Sequence, residues 1–232
     1  MKTLGIIGGI GPESTIEYYR RIHALYRQRV SDGSAPSIII NSIDNKKLLD
    51  LAGGNELNEL AGYLAREVEK LAHAGAVLAL LAANTPHLVF DSVAQHSTIP
   101  LISIVTATCE AAKTRGLKRL GLLGTRFTMQ ASFYRDALSP RQIEVVVPNE
   151  EEQAWVHDKY MQELLNGIIL PETREGLMAI VKALRDRSQI DGVILGGTEL
   201  SLILRDETVF GIQVLDTTQI HVEAAVAQLI YW

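Results

Sequence analysis

The chain predicts an α/β fold: two similar lobes with parallel sheets, related by pseudo-two-fold symmetry, with a cleft between them. Three observations predict it. Short apolar runs alternate with helical patterns along the whole length, which favours parallel sheets with right-handed crossovers. Leu4-Gly5-Ile6-Ile7-Gly8 reads again as Leu120-Gly121-Leu122-Leu123-Gly124, 116 positions later. Ala83-Asn84-Thr85 has a parallel in Gly196-Gly197-Thr198, about 113 positions later. Two matches at nearly one offset point to an internal duplication. The expected division is 1–100 plus 212–232 for the first lobe and 101–211 for the second.

The elements follow in order. Thr3 to Ile7 is a β-type run, and Gly8-Gly9-Ile10-Gly11-Pro12-Glu13-Ser14-Thr15 leads into a helical pattern from Thr15 to about Val30. A strand, a glycine loop and a helix point backbone N–H groups at an anion. The spacing lacks the last Gly of the dinucleotide fingerprint and the Gly-Lys-Ser/Thr of a P-loop. A free phosphate or small carboxylate suits it better than a nucleotide, unless it is only a Gly-Pro turn. Ser37 to Asn41 is a second strand, followed by Ser42-Ile43-Asp44-Asn45, and 48–54 is a loop or short helix. Asn58 to Ala74 is an amphipathic helix with Leu60, Leu64, Val68 and Leu71 on one face.

Val77 begins an unbroken apolar run, the pattern of a strand buried on both faces. It stops at Asn84-Thr85-Pro86-His87, a polar cluster where open α/β sheets bind ligands. The alternative is that Asn84 and Thr85 only cap the next helix. Helix 88–96, strand 101–105 and helix 107–115 follow, with Gly116 as a C-cap. The second round has strands at 120–124, 144–148, 192–195 and 214–216. Its helices are expected at 131–138, 150–166, 172–188 and 218–231, and the last of them returns to the first lobe.

Composition narrows the function. The chain has 232 residues, 47% hydrophobic content and a net charge of -5. No basic patch suggests nucleic acid, and no apolar run approaches a membrane span. The first residues are too Gly-rich for a signal peptide, so a cytoplasmic protein is expected. Cys109 is the single cysteine, which excludes an intramolecular disulfide and a Cys-based metal site.

Four motifs in order carry a resemblance over nearly the whole chain: Gly8-Gly9-Ile10-Gly11-Pro12, Asn84-Thr85-Pro86-His87, Gly124-Thr125 with Thr128 and Tyr134, and Gly196-Gly197-Thr198-Glu199. In these the chain resembles the aspartate/glutamate racemase family. The resemblance implies a small amino or hydroxy acid held between two lobes, with no pyridoxal phosphate and no metal. It also implies a homodimer, formed through the Trp232 end or the surface helices of the first lobe. Substrate-binding residues would be Gly8, Ile10, Gly11, Asn84 and Thr85 from one lobe, and Thr125, Thr128, Thr198 and Glu199 from the other.

The family's chemistry is proton abstraction at the carbon beside a carboxylate, one cysteine serving each face. The positions that match those cysteines are Ala83 and Gly197 here. Neither side chain can ionise, so the two-thiol route is closed. Cys109, inside a helical stretch, reads as a small buried hydrophobe. The substitutes to consider as bases are His87, Asp44 and Glu199. His157 reads as a solvated surface group, and Asp216 as a strand-end residue or a helix cap. Two functions follow: an isomerase acting at the α-carbon by other groups, or a carboxylate-binding protein that kept the site and lost the chemistry.

Overall fold

The structure is a computed structural model and describes residues 2–231. It divides into two compact units, one running to Ile104 and resuming at Thr218, the other Val105–Thr217. In the first unit β1 (Thr3–Gly8), α1 (Pro12–Arg29), β2 (Ser37–Ser42), α2 (Asn45–Gly53), α3 (Leu57–His73), β3 (Leu78–Leu81), α4 (Phe90–His96) and β4 (Leu101–Ile102) follow one another. The strands form a parallel sheet in the order β2-β1-β3-β4. β3 is buried along its whole length, as its unbroken apolar run requires. Helix α1 opens with Pro12 in its first turn, where the missing N–H costs nothing. It buries Tyr18, Ile22 and Tyr26. Helix α3 buries the predicted face, Leu60, Leu64, Val68 and Leu71.

The second unit takes most of α5 (Ile104–Thr114), then β5 (Arg119–Gly124), α6 (Arg126–Gln130), α7 (Phe133–Leu138), β6 (Glu144–Val146) and α8 (Glu150–Gln162). It continues with α9 (Pro171–Ser188), β7 (Gly192–Gly196), α10 (Leu200–Ile203), β8 (Thr208–Val209) and β9 (Ile212–Asp216). Its sheet runs β6-β5-β7-β9-β8, with only β8 antiparallel. The closing helix α11 (Thr217–Tyr231) packs Val222, Ala225 and Val226 into the core of the first unit, against Leu4, Ile6, Tyr18, Leu78 and Leu80.

The parallel strands of the two sheets therefore follow one order twice. The registers make the repeat specific. Leu4 pairs with Leu78 and Ile7 with Leu81, while Leu120 pairs with Gly192 and Leu123 with Leu195. Two residues beyond Leu81 stands Ala83, and two beyond Leu195 stands Gly197. Ala83-Asn84-Thr85 thus corresponds to Gly197-Thr198-Glu199, one residue on from the parallel drawn from sequence.

Other expectations are corrected. The division at 100/101 and 211/212 put β4 and β9 on the wrong sides, because β4 pairs with β3 and β9 with β7. The strand expected at 101–105 ends at Ile102, because Ile104 already begins α5. The helix expected at 131–138 begins only at Phe133, because Ala131 takes an extended conformation, and a separate short helix, α6, precedes it. The helix expected to Asn166 stops at Gln162 and tightens into a 3₁₀ turn, Leu164–Asn166. The segment 48–54 lies mostly in α2, which Asp44 caps.

Candidate functional site

In the first unit the candidate site is built on the ends of β1 and β3. The glycine loop after β1 folds around a threonine. Gly9 N–H donates to Thr15 Oγ1 at 2.9 Å, and that hydroxyl donates to the Gly11 carbonyl at 3.2 Å. Gly8 accepts from Ile43 N–H at 2.9 Å, which ties the loop to the end of β2. Gly11 supplies no side chain to cap α1, so the start of that helix retains the character of an anion site. Ile10 is buried beside it.

Beyond β3, Asn84, Thr85 and His87 are all buried, the last two in a 3₁₀ turn, Thr85–Val89. Asn84 makes no side-chain cap bond to that turn, so capping does not account for its burial. His87 was a candidate base, and its surroundings correct that reading. Its Nδ1–H donates to the Ala83 carbonyl at 3.1 Å, and its Nε2 accepts from Ile104 N–H at 3.2 Å. Both nitrogens are committed, and the partners fix the neutral tautomer. Burial and the neighbouring His221 push its pKa down to about 3. The ring stacks on Phe90, with centroids 4.8 Å apart. His87 is a strut that holds the backbone at position 83.

His221, on α11, repeats the pattern. Its Nε2–H donates to the Ile102 carbonyl at 2.9 Å, and its Nδ1 accepts from Tyr18 Oη–H at 2.8 Å. Burial lowers its pKa to about 4. Asp44 is exposed, and its Oδ1 accepts from Lys46 N–H at 2.9 Å and Lys47 N–H at 3.4 Å. It is a helix cap, which weakens its claim as a base.

In the second unit the site is built on the ends of β5 and β7. Thr125 caps α6, its Oγ1 accepting from Thr128 N–H at 3.3 Å, and the two hydroxyls lie 3.2 Å apart. Both side chains are buried. Glu199 is fully buried, and its Oε2 accepts from the Thr198 hydroxyl at 3.0 Å and from the Tyr160 hydroxyl. Burial and the Glu199 charge push the Tyr160 phenol well above its ordinary range. A Cβ at Gly197 would lie on the Tyr160 ring, 3.0 Å from both Cζ and the hydroxyl oxygen and closer still to Cε2. The space a side chain would take at position 197 is therefore filled.

His157 is half-buried, not a solvated surface group. Its Nδ1 accepts from Arg126 N–H at 3.2 Å and braces the start of α6. Burial and the Arg126 charge lower its pKa. Asp216 accepts from the Ser201 hydroxyl at 2.8 Å. Cys109 is fully buried, and burial raises its thiol pKa to about 11, which suits a packing residue. Among the described residues no three of His, Cys, Asp and Glu gather as metal ligands. No helix among them is long and apolar enough to cross a membrane.

Thr15, Tyr160 and His221 are the residues that sequence reasoning missed. Thr15 closes the glycine motif and could have been found there. Tyr160 and His221 act through partners 39 and 203 residues away, and no local pattern marks them.

Comparison with known proteins shows the family. The family model for Asp/Glu/hydantoin racemases matches residues 7–225. A crystal structure from Yersinia pestis, provisionally described as an Asp/Glu racemase, is 34% identical and superposes with a TM-score of 0.87, over 99% of this chain and 100% of that one. An aspartate racemase homologue from Pyrococcus horikoshii OT3 is 36% identical with a TM-score of 0.83, over 99% of each chain. The broad specificity amino-acid racemase RacX of Bacillus subtilis (strain 168) is 23% identical over 210 residues, 87% of each chain.

Proposed function

We propose, from the premise that this chain belongs to the Asp/Glu/hydantoin racemase family, that it takes a small amino or related carboxylic acid and acts at its α-carbon as a cofactor-independent isomerase. The observation that carries the reading is the repeated register. Positions 83 and 197 occupy the same place in two sheets of one strand order, each followed by buried polar residues. Gly8, Ile10, Gly11, Asn84 and Thr85 would meet the ligand's carboxylate in the first unit. Thr125, Thr128, Thr198 and Glu199 would serve the second. Ala83 and Gly197 offer no thiol, and His87 has no free nitrogen. Glu199 is then the strongest remaining candidate for an α-proton acceptor.

The test is exchange. Single L-amino acids, with aspartate and glutamate first and a wider panel prompted by RacX, are incubated with the protein in deuterated water. Deuterium appearing at the α-carbon, abolished in Glu199→Gln, is the expected outcome. Binding without turnover is the second reading, favoured by the Tyr160 ring in the place of a second base. Thermal stabilisation by a ligand whose α-proton never exchanges would establish it. Absence of both would refute both.

A cytoplasmic homodimer completes the proposal. Ile16 and Tyr19 on α1 are 43% and 46% exposed, and Ile40 on the edge strand β2 is 40% exposed. Apolar groups of this size on the first unit suit a subunit contact. Trp232, the other expected contact, lies outside the described residues. Sedimentation should give twice the 25.5 kDa chain mass, and a monomer at all concentrations would refute the dimer.

A further inference from the structure

Loss of a thiol at position 197 would ordinarily leave a hole the size of the missing side chain. Here there is none. Tyr160 is buried on α8, packed in the second unit's core with Val156, Met129 and Leu200. Its ring edge lies where a residue-197 side chain would begin, and its hydroxyl donates to the buried Glu199 carboxylate that also receives Thr198. Gly197 is not a left-handed glycine, so backbone conformation does not demand it. Room does: any Cβ would have to displace an aromatic ring held at its far end by a hydrogen bond.

We propose that Tyr160 is the specificity-determining residue of the second unit: it stands in the volume of the residue-197 side chain, so this strand end selects ligands by size and hydrogen bonding and exchanges no proton through position 197. The inference rests on the proposed family-type ligand site. Removing Cε, Cζ and the hydroxyl while keeping a branched apolar stem would reopen the volume, and Tyr160→Leu does that. Tyr160→Phe keeps the ring and loses only the bond to Glu199.

Two measurements test it. The first needs no ligand. Gly197→Ala should lower the urea midpoint in the wild-type background and leave it nearly unchanged in Tyr160→Leu, a coupling that independent sites would not show. Equal losses in both backgrounds would overturn the proposal. The second is thermal stabilisation of wild type, Tyr160→Phe and Tyr160→Leu by L-aspartate, L-glutamate and L-phenylalanine. Tyr160→Leu should shift the preference at least tenfold toward the largest of the three, while Tyr160→Phe should retain the wild-type order. An unchanged order in Tyr160→Leu, with the wild type binding, would overturn the size role alone and leave the ligand site standing. Stabilisation of no variant by any of the three would overturn the size role together with the ligand site, even if the stability coupling held.

Discussion

Lowering the pH from 7.5 to 5.0 is expected to destabilise the protein by about 4 kcal/mol, well before most carboxylates begin to titrate. His87 and His221 are both fully buried and neutral, with pKa values pushed down to about 3 and about 4. In the unfolded chain each takes up a proton near pH 6.5. The stability they lend is therefore complete above pH 6.5. It falls as the pH drops below that value, by about 1.4 kcal/mol per unit for each histidine, until the folded pKa is reached. At pH 5.0 each has lost about 2 kcal/mol. His157, with its pKa lowered less, adds a smaller loss of the same sign in the second unit. Urea midpoints at pH 7.5, 6.0 and 5.0 measure the effect. A replacement of His221 by Gln should remove close to half of the pH dependence. Equal midpoints at 7.5 and 5.0 would mean that neither imidazole is held neutral.

The second large effect is expected at Gly9. Gly9 and Gly33 have nearly the same φ, +79° and +80°. The left-handed conformation costs any L-residue about 1–2 kcal/mol, so Gly33→Ala, with nothing within 4 Å of the added methyl, should lose about that much. At Gly9 the same methyl would stand 2.6 Å from both the Ile43 carbonyl oxygen and Ser42 Oγ. The Ile43 backbone cannot yield freely, because its N–H is bonded to Gly8. Overpacking of this kind adds about 1–3 kcal/mol, which brings Gly9→Ala to roughly 2–5 kcal/mol. Two alanine variants with equal midpoints would show that the crowding at Gly9 relaxes without cost.

The strands were legible because their burial leaves a pattern in the chain. β3 is an apolar run that nothing but burial on both faces explains, and the β1 and β5 sequences nearly coincide. The apolar face of α3 was legible for the same reason. β8 and its tight turn were not. The turn sets Phe210 and Gly211 at φ 51° and 81°, and a phenylalanine gives little sign of a left-handed position. At the site, the positions were legible and the occupants were not. His87 looked like a titrating group because its neutrality comes from burial and from His221, neither of which its local sequence reveals. Gly197 read as a missing thiol, since no local sequence pattern places the Tyr160 ring against it.

The return of α11 to the first unit has a consequence for how the chain is made. The second unit is one continuous segment, so it can close on the ribosome once residue 217 has emerged. The first unit cannot. Its β1 and β3 faces and the Tyr18 hydroxyl wait for His221, Val222, Ala225 and Val226, which are translated after the whole second unit. During that interval the earlier-made half presents an apolar surface with its partner still missing, the kind of nascent intermediate that chaperones bind. The half translated first is the half completed last.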